Sequence, residues 1–215
     1  QVIDVLGGDG YPAVIFATGG TKTIDGNIDI LTSLLVENGV TLKNNGDTIR
    51  FKAGNGTSDF VLEGSGQYES GGTIVFEGTN HTITNASANL EVQNLVLNCP
   101  NGLNLTSNVS VTNSLKFIQG VITTGANEIS IESDQEDAIT GFSNTSFVYG
   151  NLRRAIAVNT DEYSFPVGDD TASTDYHLLK LMNDNLTNVA SIVGSVNVIA
   201  EDTNLQNNPR FESAG

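Results

Sequence analysis

The 215-residue chain carries 25 acidic against nine basic side chains, a formal charge of −16. That field repels polyanions and anionic bilayer surfaces, so the chain is expected to bind no nucleic acid and to insert in no membrane. A single cysteine, Cys99, excludes an internal disulfide and any paired-cysteine zinc or redox motif, and no apolar run approaches the ~18 residues of a membrane span.

Charged residues make up only 16% of the chain, and 25 Asn, 23 Gly and 22 Thr supply the missing polarity. Asn and Gly tolerate left-handed backbone and Thr favours strands, so the composition suits many short strands joined by tight turns. No window shows a clean 3.6-residue apolar period. The fold class expected is all-β.

Residues 1–20, QVIDVLGGDGYPAVIFATGG, hold two Gly-rich turns around an apolar segment and are read as an N-terminal cap. From 21 to 150 an apolar–polar–apolar unit recurs. Ile28/Ile30, Ile49/Phe51, Ile74/Phe76, Leu95/Leu97 and Leu115/Phe117 lie 21, 25, 21 and 20 residues apart. A second column reads Leu42, Leu62, Ile83, Leu103, and a third reads Leu90/Val92, Val109/Val111, Ile129/Ile131, Phe147/Tyr149. GDTIRF at 46–51 returns as GGTIVF at 71–76, and Asn/Gly clusters, Gly54-Asn55-Gly56 among them, are read as turns between strands.

Strands that alternate inward and outward side chains at this period bury a face only by stacking on one another. The expectation is a right-handed parallel β-helix, or β-solenoid, with three strands per coil and a triangular cross-section. After Gly150 the apolar segments lengthen, at 155–158, 163–167, 178–182 and 192–200, punctuated by FPVGDD at 165–170. Residues 151–215 are therefore expected to form a small antiparallel β cap or sandwich with a polar tail from Thr203. The start at Gln1 rather than Met fits a mature or excised segment.

The residues GLNLTSNVSVTNSLKFIQGVITTGANEISIES at 102–133, FVYGNLRRAI at 147–156 and YSFPVGDD at 163–170 carry a resemblance. They resemble a segment of secreted surface proteins of Bacteroidota, in which short coils lead into a G-x-L-x-R strand and an FPVGD turn. The resemblance implies export by a type IX secretion route and display as an adhesin, gliding-motility protein or polysaccharide-active enzyme. The C-terminal sorting domain of such proteins is missing, which implies either a piece of a longer protein or a chain whose remainder has been processed away. The resemblance also raises O-glycosylation at Asp-Thr-aliphatic sites; Asp47-Thr48-Ile49 and Asp170-Thr171-Ala172 match, so Thr48 and Thr171 are the candidate modified residues.

Other chemistry is thin. A polysaccharide lyase needs a basic side chain beside acidic neighbours, and Arg50 with Lys52, near Asp47 and Glu77, is the best pair. A hydrolase needs carboxylates on adjacent coils, whereas Glu132, Asp134, Glu136 and Asp137 crowd one loop. Asp161, Glu162, Asp169 and Asp170 show no calcium-loop spacing, and His81 and His177 stand apart, as surface or turn residues. Arg153 and Arg154 mark the end of the rhythm and are expected to pair with carboxylates across the junction. Seven Asn-x-Ser/Thr sequons arise from composition, and the absence of Trp argues against an aromatic glycan platform.

No catalytic residue, metal ligand or cofactor is assigned. The expected function is a structural or adhesive scaffold at the cell surface, with surface proteins, the secretion apparatus and extracellular glycans as partners. The alternative is a polysaccharide-active β-helix enzyme or its glycan-binding domain.

Overall fold

The computed structural model describes residues 2–4, 10–85, 90–157, 162–182 and 191–194, with 2–4, 53–59 and 173 as backbone only. The first coil contains β1 (Val2–Asp4) and β2 (Tyr11–Phe16), and the second β3 (Gly20–Asp25) and β4 (Ile28–Val36). The third holds β5 (Val40–Asn44) and β6 (Thr48–Leu62), and the fourth β7 (Gln67–Ser70) and β8 (Thr73–Asn85). Next come β9 (Leu90–Asn98) with β10 (Leu103–Leu105), then β11 (Val109–Gln119) with the first half of β12 (Ile122–Ile131). The second half of β12, β13 (Ile139–Thr140) and the start of β14 (Val148–Ala155) complete a parallel β-solenoid of about seven turns. Among the described residues the only helical elements are two single 3-10 turns, Glu136–Ala138 and Ser173–Asp175.

Each coil presents three faces because its longer strands bend. Pairing of β4 with β6 breaks between Ile30 and Ser33, and that of β6 with β8 between Ala53 and Thr57, so one strand serves two faces across a corner. Gly54-Asn55-Gly56 is therefore an excursion within β6 rather than a turn between strands. Parallel pairing already includes β1 with β3 and β2 with β4.

The first sequence column is an in-register stack. Ile28, Ile49, Ile74, Leu95 and Leu115 lie over one another, as do Ile30, Phe51, Phe76, Leu97 and Phe117. All ten are at most 2% exposed and belong to one continuous core. Phe51 stacks on Phe76 with centroids 4.9 Å apart and meets Phe60 at 5.6 Å. Each such contact contributes about 0.5–1.5 kcal/mol beyond area burial.

The second column is corrected by the structure. Leu42 stands on another face, between Lys22 and Tyr68. Leu62 lies over Val36 and Asn85, Ile83 over Phe60 and Leu105, and Leu103 over His81 and Ile122. All four still point inward; for Leu62, Ile83 and Leu103 the slip is of two residues, which preserves strand parity.

The third column holds through Ile129/Ile131, but the next layer is Leu152/Arg154 rather than Phe147/Tyr149. Tyr149 pairs with Thr123 and Gly168 on a different face. Of the apolar segment expected at 155–158, only Ala155 belongs to a strand, the end of β14; Ile156 and Ala157 do not, and Val158 lies outside the described residues.

The parallel stack closes with antiparallel pairing, as expected. β15 (Glu162–Gly168) runs parallel to β14 at its end and antiparallel to β16 (Tyr176–Met182), and β17 (Ser191–Gly194) lies antiparallel on β14. Asp161, Asn185, residues 195–200 of the last apolar segment and the tail from Thr203 lie outside the described residues.

Candidate functional site

The lyase pair is neutralised by its neighbours. Strand register puts Arg50 over Asp29, and Arg50 Nη1 donates to Asp29 Oδ1 at 2.9 Å while its Nε lies 3.4 Å from Glu77 Oε1. Lys52 Nζ reaches Asp29 Oδ2 at 2.7 Å. Burial pushes the Asp29 carboxyl up, but the hydrogen bonds and charges of Lys52 and Arg50 outweigh it and hold the pKa below the ordinary 3.8. Asp47 is not part of this cluster; its carboxylate accepts the Gly26 N–H at 2.8 Å.

The acidic loop is dispersed in the same way. Glu132 turns toward Arg153, and the Asp134 carboxylate accepts a bond from the Gln135 side chain at 2.8 Å. Glu136 and Asp137 sit in a single 3-10 turn.

That turn wraps Arg154, whose fate differs from the expected carboxylate pairing. Arg154 is fully buried, in register with Ile131. Its guanidinium donates to the backbone carbonyls of Ser164 at 2.9 Å and of Gln135 and Glu136, each at 2.6 Å. It lies 5.0 Å from the Tyr163 ring centroid, and the Tyr163 hydroxyl donates to the Asp134 carbonyl at 2.9 Å. Burial lowers the Arg154 pKa, partly offset by Tyr163, Asp137 and Glu136.

Arg153, one residue earlier, points outward and does pair with carboxylates. Its Nε donates to Glu128 Oε1 and its Nη2 to Glu132 Oε1, both at 2.8 Å. The hydrogen bond to Glu128 is the main cause of its raised pKa.

These residues form the wall of a polar groove of about 230 Å³ on the side of the solenoid. Register builds its floor, since Glu91, Ser110, Ser130 and Arg153 stand in one outward column across four coils. The Ser110 hydroxyl donates to Glu132 Oε1 at 3.2 Å, and Asn108 Oδ1 accepts the Glu128 N–H at 3.0 Å. Of this group, sequence reading considers Glu132 and Arg153 for chemistry or pairing and Asn108 only as the start of a sequon. The column Glu91, Ser110, Ser130, Arg153 has no residue type common to all four, so only the coil step of 19 to 23 residues relates them.

The remaining candidates are separate. His81 is buried against Phe76, with Nε2 2.6 Å from the Glu77 carbonyl oxygen, rather than on the surface. His177 is exposed and lies 3.7 Å from Asp169. Glu162 pairs with Lys180 at 2.6 Å, and Asp170 accepts the Thr171 N–H at 2.6 Å. Thr171 is exposed in that turn, whereas Thr48 is half-buried at the start of β6, its N–H donating to Asn27 at 2.8 Å. Cys99 is buried, and burial raises its thiol pKa.

Among the described residues no three His, Cys, Asp or Glu side chains are grouped to hold a metal ion, and no helix is long and apolar enough to cross a membrane. Compared with protein-family models, curated proteins and solved structures, the chain matches none.

Proposed function

We propose that this chain is a non-enzymatic structural or adhesive protein of the cell surface, a segment of a longer product exported by a type IX-like route. One observation carries the scaffold reading: an unbroken apolar column runs through successive coils in a single core. Seven coils at ~4.8 Å each make a stiff body of about 34 Å, and such stacks resist bending because every layer is bonded to the next.

The lateral surface supports a non-catalytic role. Arg50 and Lys52, the strongest base candidates, are engaged by Asp29 and Glu77 of neighbouring coils. Glycoside cleavage needs a proton-donating carboxyl facing a second carboxylate. Glu128 and Glu132 instead both accept hydrogen bonds from one guanidinium. Partner docking is supported by β16, which ends the sheet order and exposes Leu178, Leu179 and Met182.

Surface display is tested by adding protease to intact cells that express the full gene product. Digestion in the parent strain and retention inside a secretion-deficient strain are the expected results; protection in both would sink the reading. The enzymatic alternative is tested by incubating the chain with neutral and anionic polysaccharides. New reducing or unsaturated ends, lost in Arg50→Ala or Asp134→Ala, would establish it in place of the scaffold role.

A further inference from the structure

Among the described residues two polar groups of the lateral groove have no hydrogen-bond or ion-pair partner, and both line the same space. Ser130 alternates outward between inward Ile129 and Ile131, yet it is only 4% exposed, and among the described residues its hydroxyl makes no hydrogen bond. The residue is covered, but its hydroxyl oxygen still opens into the groove, where a ligand can reach it. Glu91 stands two layers away in the same column, exposed and without an ion pair among the described residues. The other groups are spoken for: Arg153 by Glu128 and Glu132, and Ser110 by Glu132.

We propose that this groove binds an amino-sugar unit of an extracellular glycan, with the sugar ammonium on Glu91 and a ring hydroxyl on Ser130. Three carboxylates against one guanidinium leave a local excess of two negative charges, which draws a cation and rejects uronic acids and phosphates. A volume of about 230 Å³ falls below the ~300–1,000 Å³ of a drug-sized cavity, so the space suits a single ring. Among the described residues the walls are carboxylate, hydroxyl, amide and guanidinium groups with one aliphatic side chain, Val109, and no aromatic face, so recognition runs through the ring's polar edge. A lysine side chain would satisfy Glu91 but would lay its alkyl stem along the two serines and leave Ser130 unpartnered. A saccharide satisfies both.

The test is a two-dimensional NMR titration of the full chain with glucosamine tetramer, its N-acetylated counterpart and tetralysine. Glucosamine tetramer should give saturable shifts centred on the amides of Glu91, Ser110, Ser130 and Arg153. Ser130→Ala, which removes no internal hydrogen bond, should weaken binding roughly fivefold, the size of one hydrogen bond. Glu91→Gln should weaken it by at least as much and flatten its salt dependence. The acetylated tetramer should bind about tenfold less tightly, having lost the ammonium. Absence of saturable shifts at about 10 mM, equal binding of either comparison ligand, or indifference to both variants with unchanged melting curves would overturn the proposal.

Discussion

The face built on Ile28, Ile49, Ile74, Leu95 and Leu115 and the face that ends in Ile129 and Leu152 use the same geometry toward different ends. On the first, every inward position is apolar and each layer repeats the one before it. On the second, the inward column passes from Val111 through Ile131 to Arg154, so a guanidinium takes the place of a methyl-bearing side chain. It is tolerated there because the stack is ending: antiparallel β17 lies on β14, and Ser164, Gln135 and Glu136 turn carbonyls toward it. Mid-stack carbonyls are already committed to the strands above and below. A buried charge is thus admissible only where a coil has loose carbonyls to give.

Exchanging the two environments should produce the largest effect. Ile131→Arg puts a guanidinium one layer deeper, where nothing is arranged to receive it, and should cost at least about 4 kcal/mol or abolish folding. Urea denaturation followed by circular dichroism reads the loss; a fold as stable as the parent would erase the contrast between the two positions. The converse, Arg154→Leu, keeps most of the volume but strands three carbonyls, for an expected loss of about 2–4 kcal/mol. Protease nicking should then concentrate at residues 133–138 before global unfolding. Equal stability with no local nicking would show that the guanidinium merely fills space.

Corners are the next weakest point. Gly120 turns the chain between β11 and β12 at a φ of +104°, and a Cβ there would overlap the Cys99 carbonyl oxygen. Gly120→Ala should lower stability by about 1–3 kcal/mol, seen as faster native-state labelling of the buried Cys99 thiol. An unchanged labelling rate would mean that this corner yields freely.

The smallest effect belongs to the outward ion pairs. The folded Asp29 pKa lies below the ordinary 3.8, so its stabilisation is complete above that value and is lost as pH falls through the lower folded value. Parent and Asp29→Asn stabilities should differ by less than about 1 kcal/mol at pH 6, and the gap should close below about pH 4. A gap that widens on acidification would contradict the sign.

Much of this architecture was legible in the chain. The apolar–x–apolar unit is local, and a half-buried strand writes it directly, so the first column was readable to its exact residues and the closing antiparallel strands from FPVGDD onward. Arg154 is hidden in the sequence because inward positions are signalled by apolar residues, and the next apolar–x–aromatic unit after Ile129/Ile131 is Phe147/Tyr149. Had polar residues been admitted, Leu152-x-Arg154, 23 residues beyond Ile129/Ile131, kept the phase. The groove was hidden for another reason. Glu91, Ser110, Ser130 and Arg153 follow no common residue type, and nothing marks them until strands are laid over one another.

Side-chain parity is a property of two neighbouring residues, so sequence alone determined that these strands are half-buried and that they stack. Register is a property of whole coils. Ten residues separate Ile49 from their partner position at Asp59 where five separate Ile28 from Ser33, and such corner lengths accumulate before one strand meets the next. Only the wound chain therefore decides which outward groups become neighbours, and with them the ion pairs, the sealed arginine and the groove.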